Sequence, residues 1–444
     1  MTKVLVTDNH LTNIANAIRN KKGTNSKYKP NEMANAIDSI ETGVNPTGTI
    51  EITENGDYDV TSYANATVNI ETGGEGTVVP YAPRFITFQG YKGTDLDYEV
   101  ANLDTKNITS MKNMFTECTK LESLDVSNFD TRNVTDISYF LYFGSSGAVL
   151  SSFKATNLDL RNCTTMERFM YTNQKIENMD LSGWKFESKI NMKEAFYNTS
   201  RLQSLDLSSW IGLKVSSLYG TFENCSSLKT LKLPYIDTSE CTTFNSLFYK
   251  NKFTNIDVST FDLSSVTNCG SMFYGCTNLT DLDLSNWQPT KVVSLTYMFY
   301  GCSALTTLKL WNVPVSEEVT TLKQMFYECK KLTSIDMSWL TGSNITTVET
   351  IFSNCSRLES IDLSNFNTTK SINCSSMFSY CTALKHLDMR SFDFSKVSTK
   401  TSMFSYVPTD CEIIVADDTQ KDWFATNFST LTNVKTVAEL EAEA

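Results

Sequence analysis

The stretch Ser271–Trp287, SMFYGCTNLTDLDLSNW, decides the fold because it does not stand alone. It returns as YMFYGCSALTTLKLWNV over 297–313 and as QMFYECKKLTSIDMSWL over 324–340. With the Phe of SMF as anchor, the matching positions are Phe115, Phe140, Met170, Phe196, Phe222, Phe248, Phe273, Phe299, Phe326, Phe352, Phe378 and Phe404. Successive anchors lie 25 to 27 residues apart, except for a 30-residue step after Phe140, where the Gly/Ser-rich YFGSSGAVLSSFKATN intervenes. A fixed period in this range marks a solenoid, in which each unit makes one coil and buries its apolar face on its neighbours.

Each unit reads as two halves. VTNCGSMF (266–273) places Val266, Cys269, Met272 and Phe273 at helical spacing, which predicts a short helix with one side inward. In LTDLDLS (279–285), Leu282 and Leu284 alternate with Asp281, Asp283 and Ser285, the pattern of a short strand with one buried face. Leu279 anchors the turn between the halves. Trp287 packs after the strand, as do Phe129, Trp184, Trp210, Phe261, Phe366 and Phe392 in their units. The expected fold class is an α/β repeat solenoid. About twelve coils at roughly 4.8 Å per stacked strand give an array of roughly 55 Å.

MFYGCTNLTDLDLSNW resembles the BspA-type leucine-rich repeat of bacterial and protist surface proteins and of phage proteins. The resemblance runs from about 107 to 408. It implies a right-handed solenoid with one parallel sheet, and it implies little about ligand, because this fold presents many different surfaces.

Composition narrows the function classes. The 444-residue chain is 41% hydrophobic and 20% charged, enough apolar content for a core. Its net charge of −12 argues against nucleic acid, which requires a basic patch, and no basic helix for an anionic membrane is present. No apolar run approaches the ~20 residues that cross a bilayer. The start, MTKVLVTDNHLTNIANAI, lacks the apolar core of a signal peptide, so synthesis in a cytoplasm without standard secretion is expected.

Twelve cysteines and two histidines raise the question of a metal or reaction centre. Cys118, Cys225, Cys276, Cys302, Cys329, Cys355 and Cys381 all fall three residues after the anchor, a turn position shared by Asn173 and Asn251. Cys269 and Cys374 fall four before it, and Cys163 and Cys241 seven before it. Cysteines that keep a repeat register read as small buried hydrophobes. His10 and His386 are far apart, and no CxxC pair exists. Neither a zinc site nor a Cys-His nucleophile is therefore supplied with partners. No cofactor and no enzymatic activity are expected.

The surface carries two regular features. Between the inward strand residues lies an outward one: Asp125, Asp159, Asp180, Asp206, Asp257, Asp283, Asp336, Asp362 or Asp388, with Lys232 and Lys309 in two units. This acidic stripe is either a sugar- or cation-capturing face or a solvated ladder held by its Ser and Thr neighbours. The second is a tyrosine track directly after the anchor: Tyr171, Tyr197, Tyr249, Tyr274, Tyr300 and Tyr327. These rings either grip a sugar or protein partner or pack on the next coil. Departures from the consensus single out a site, since a regular stripe offers the same chemistry at every coil. LKLPYI offers Lys232 and Tyr235, and LKLWNV offers Lys309 and an outward Trp311. Together with Tyr249, Tyr274, Tyr300 and Tyr327 these are the expected ligand-binding residues.

The ends differ from the array. Residues 1–43 read as two short amphipathic helices, LTNIANAIRN and NEMANAIDSI. Residues 44–74 read as a small β module with NGDY as the turn, and 75–106 as a linker leading into a capping strand, RFITFQG. The solenoid occupies 107–408. Residues 409–444 form a cap, with a strand and a polar-faced helix in CEIIVADDTQKDWFATNF. The first two segments resemble N-terminal modules of tail and fibre proteins from phages and prophages of Gram-positive bacteria. That resemblance implies a virion protein that binds a bacterial surface polysaccharide or protein and is attached through 1–43 to tail or baseplate partners, with a homo-oligomer, a trimer, as the expected assembly. The alternatives are a structural or decorating virion component and a bacterial surface adhesin.

Overall fold

The computed structural model describes residues 57–59, 67–69, 86–144, 147–341 and 344–443. The architecture is a leucine-rich-repeat-like parallel β-solenoid of about 11 coils with little helix. The chain divides into two compact units, 1–190 with 209–213, and 191–208 with 214–444. In the first unit Ser123–Asp125, Ser152–Lys154 and Asn178–Asp180 pair in parallel, one strand per coil. In the second, Asp281–Asp283 pairs with Thr307–Lys309, and Ser204–Asp206 with Thr230–Lys232. A five-stranded parallel sheet runs through Ser334–Ile335, Ser360–Asp362, His386–Asp388, Glu412–Val415 and Val434–Thr436. Leu282 faces Leu308 inward while Asp281 and Asp283 stay exposed, as the alternation requires.

The half expected to be helical is not a helix. Its N–H groups alternate between two uses. Those of Met272, Tyr274 and Cys276 close turns onto Cys269, Ser271 and Phe273. Those of Cys269, Ser271, Phe273 and Gly275 donate to Ser294, Thr296, Met298 and Tyr300 of the next coil, at 2.7–3.0 Å. A helix would spend every N–H within its own coil and leave only side chains to hold the stack. The alternation forces a left-handed backbone at two positions per coil, such as Ser271 (φ 55°) and Gly275 (φ 66°), or Gln324 (φ 55°) and Glu328 (φ 60°).

This ladder also fixes the register. Phe115 N donates to Phe140 O, and Leu141 N to Phe169 O. Leu141 rather than Phe140 therefore stands at the anchor, with Phe140 in the place of Met272. A further departure from a single sheet is a second column of parallel bridges: Ser110 to Asp136 to Thr165 in one unit, Thr243 to Asn268 to Ser294 in the other.

The core is a column of rings. Phe196, Phe222, Phe248, Phe273, Phe299, Phe326, Phe352, Phe378 and Phe404 stack in sequence with centroids 5.4–6.0 Å apart. Burying each such ring contributes roughly 1.5–3 kcal/mol, available only when a neighbouring coil covers it. At the start of the array Phe88 stacks on Phe115 at 5.3 Å, and its N–H donates to Met114. RFITFQG thus joins the turn column, with no strand assigned to its described residues. At the other end the helix Asp418–Asn427, capped by Asp417, sets Phe424 against Phe394 and Phe404. Asp57–Asp59 and Thr67–Asn69 form an antiparallel pair, so Asp57 and Tyr58 of NGDY lie in a strand and not in a turn. The two helices expected within 1–43 lie outside the described residues.

Candidate binding surface

The outward stripe is built from strand-ending turns. Asp125, Asp180, Asp206, Asp257, Asp283, Asp336, Asp362 and Asp388 each accept the backbone N–H two residues on, at 2.8–3.1 Å. This Asx turn is what the repeat needs an Asp for, and it favours the ladder reading of the stripe. Two positions differ from expectation. Lys154, at the register position between Asp125 and Asp180, belongs to the stripe. Asp159 does not: it bridges to Lys185 in another column and pairs with Arg161, because the insertion precedes the strand of its coil.

Each stripe lysine reaches back to the aspartate of the preceding coil: Lys154 to Asp125 (3.3 Å), Lys232 to Asp206 (2.8 Å) and Lys309 to Asp283 (2.9 Å). Lys232 and the Ser208 hydroxyl hold the Asp206 carboxyl down at about 2. The Ser285 hydroxyl and Lys309 hold Asp283 at about 2. These exposed pairs relieve the like-charge column.

A lysine cannot close the Asx turn, which frees the residue two positions on from donating its N–H. That residue is Pro234 after Lys232 and Trp311 after Lys309. Here the sequence expectation fails. Trp311 is 1% exposed, stacked at 6.5 Å on Trp287 and 5.3 Å from Trp339. With no turn holding it outward, the large apolar side chain enters the core, and Trp311 is not a surface ligand-binding residue. Tyr235 is 72% exposed, and Lys232 and Lys309 keep exposed side chains three coils apart.

The tyrosine track is a continuous stack. Tyr249, Tyr274, Tyr300 and Tyr327 follow one another at 4.5, 4.4 and 4.7 Å, half-buried, with Lys250 Nζ 5.1 Å from the Tyr249 centroid. Burial, with the adjoining Tyr274 and Tyr327, pushes the Tyr300 hydroxyl up to about 12, so it remains a neutral donor. Tyr171 stacks on Tyr142 at 5.1 Å. Tyr197 and Tyr249 are separated in the track by Glu223, whose carboxyl is pushed up to about 7, chiefly by burial and then by Glu194. Sequence reasoning missed Glu223, which a gap in the Tyr column would have shown. It also missed Tyr380 and Tyr406, one position later in their coils.

The cysteines face inward. Cys118, Cys225, Cys276, Cys302, Cys329, Cys355 and Cys381 are buried free thiols. Each donates to the backbone carbonyl of the preceding coil's Phe at 3.1–3.3 Å, as Asn251 does at the same position. Burial pushes these thiols up, to about 12 at Cys276, so the thiolate needed for nucleophilic or metal chemistry is disfavoured. Among the described residues no group of three His, Cys, Asp or Glu side chains is placed to hold a metal ion. Likewise among the described residues, no helix is long and apolar enough to cross a membrane.

A family model described as "Mycoplasma protein of unknown function, DUF285" matches residues 87–146, 145–232, 216–317 and 307–414. No curated protein matches the chain. Among solved structures, a leucine-rich-repeat protein of Leptospira interrogans is similar at 13% identity, over 78% of this chain and 99% of that one, with a TM-score of 0.20. The pneumococcal vaccine antigen PcpA is similar at 13% identity, over 87% and 99%, with a TM-score of 0.28. The functional domain of InlJ from Listeria monocytogenes, whose structure includes a cysteine ladder, is similar at 13% identity over 80% and 72%, with a TM-score of 0.18.

Proposed function

We propose that this chain, which belongs to the DUF285 family, is a non-enzymatic phage virion protein, a tail-fibre or receptor-binding protein whose solenoid recognises the bacterial host surface. The observation that carries this reading is the outer face of the coils. Polar and aromatic side chains line it in columns, while the cysteines are buried and, as at Cys276, hydrogen-bonded to backbone carbonyls. Such a face binds by many weak contacts gathered around a few anchors. Lys232, Tyr235, Lys309 and the stack of Tyr249, Tyr274, Tyr300 and Tyr327 are the proposed contacts. Attachment to tail or baseplate proteins through residues 1–43, and assembly as a trimer, belong to the same proposal and rest on the resemblance of 1–74 to tail and fibre modules.

A second reading, a structural or decorating virion component, draws support from the pairing of the stripe lysines with stripe aspartates, which leaves those charges satisfied without a ligand. Competition separates the two. Purified full-length chain added to host cells should reduce adsorption of the phage in proportion to its concentration. If it does not compete, and particles lacking it adsorb normally, the structural reading replaces the recognition reading.

A further inference from the structure

Apart from the coil of Leu141, where Gly144 (φ 60°) takes this role one position later, the coils place a left-handed residue two positions after the anchor. Gly275, Gly301, Asn198, Asn224 and Asn354 fill it with residues that tolerate φ near +60°, and Glu117, Thr172, Lys250 and Glu328 fill it in other coils. Two successive coils instead place tyrosines there, Tyr380 (φ 60°) and Tyr406 (φ 64°). A bulky aromatic in this region is a backbone outlier that costs free energy relative to Gly or Asn. Tyr139 and Tyr297, the other tyrosines with positive φ, offset that cost by packing on neighbouring rings. Tyr380 and Tyr406 have, among the described residues, only each other, at 4.3 Å and 17°. They are 44% and 66% exposed, among the few large apolar side chains left in water. The stack therefore works against backbone strain at both of its positions.

The surroundings indicate what the pair would hold. Tyr380 covers one face of Tyr406, which is nonetheless 66% exposed. The turns that carry them, SSMFSYCT (375–382) and TSMFSYVP (401–408), contain no charged residue, unlike the turns with Lys250 or Glu328. Their polar groups are hydroxyls, of which Ser402 is exposed and Ser376 half-buried. An exposed aromatic pair on turns whose polar side chains are hydroxyls suits a neutral pyranose, whose C–H face packs on a ring while its hydroxyls bond to neutral polar groups. These turns carry no charge of their own to pair with a phosphate or a charged peptide.

We propose that Tyr380 and Tyr406 form a stacking platform for a neutral hexopyranose of a surface polysaccharide. The proposal rests on the recognition reading above and adds a site and a ligand class to it. The test uses the full chain and the substitutions Tyr380→Asn and Tyr406→Asn, singly and together, because Asn suits the left-handed backbone. Binding to immobilised dextran, galactan and mannan is measured beside the melting temperature and beside binding to host cells. The expected result is binding of the unaltered chain to at least one polysaccharide and at least a tenfold loss in the double variant. The melting temperature should stay unchanged or rise, the mark of strain kept for function.

Three results overturn the platform: the unaltered chain binds none of the three, the double variant binds as well as the unaltered chain, or its melting temperature falls because the pair is a structural brace. Loss of host-cell binding in the double variant, together with sensitivity of that binding to protease treatment of the cells, assigns the pair to a protein ligand and also overturns it. Polysaccharide binding without host-cell binding sinks the recognition reading and leaves the platform standing. Host-cell binding shared equally by the double variant does the reverse.

Discussion

Cys276 shows how one residue serves the repeat. Its thiol is buried and donates to Phe248 O at 3.1 Å, a carbonyl of the preceding coil. Serine keeps a donor but puts a shorter, more polar group where the site is apolar. Cys276→Ser should lower stability by about 1–3 kcal/mol in urea unfolding, and an unchanged midpoint would contradict the assignment. Glu223 gives a prediction in pH. Its folded carboxyl titrates at about 7, above the ordinary 4.5, so between these values the folded state binds more protons than the unfolded state. Stability should therefore fall as pH rises from about 4.5 to 7. Glu223→Gln should flatten that slope and stabilise the protein at pH 8 by roughly 1–2 kcal/mol, once solvent screening is allowed for. A variant with the unaltered slope would refute the burial of this carboxyl. The cysteine columns were legible in the sequence because spacing alone assigns them. The fate of Trp311 was not: alternation along LKLW extends the strand pattern one residue past the point where the missing Asx turn lets the side chain turn inward.

At the scale of the element, the Asx turn and the tyrosine stack make separable predictions. Ser285 N–H donates to Asp283 at 3.0 Å, whereas Pro234 follows Lys232 and has no N–H to give. Ser285→Pro should cost about 1–3 kcal/mol, while Pro234→Ser should fall within about 0.5 kcal/mol of neutral, both read from denaturant midpoints. Equal effects would remove the Asx turn as the reason for the stripe. In the stack, Tyr274→Ala and Tyr300→Ala should couple by about 0.5–1.5 kcal/mol in a double-mutant cycle, and strict additivity would mean the rings merely adjoin. The strands and their inward leucines could be read from the period of two. The turns could not be told from a helix, because inward residues at 266, 269, 272, 273 and 276 repeat helical spacing while the N–H groups alternate between coils. The tyrosine track was read from Tyr171 to Tyr327 but missed Tyr142, because the anchor was set at Phe140 and not Leu141, and it lost Tyr380 and Tyr406, where the aromatics move one position later.

At the scale of the whole molecule, stability is shared between neighbours, and the proposed function lies in what the coils display and in what the ends attach. The repeat and its resemblance made the array legible, but a repeat fold that presents many different surfaces leaves no motif from which to name a ligand. Removal of residues 1–43 should leave a soluble chain, with the circular-dichroism spectrum of its β-solenoid retained, that no longer enters particles. Normal incorporation would place the attachment elsewhere. The central claim, that this chain is the host-facing part of a virion, is tested most directly by electron microscopy of purified particles labelled with an antibody against the full-length chain. The account predicts label at the host-facing end of the tail. Label confined to the head, or particles with no label at all, would contradict it.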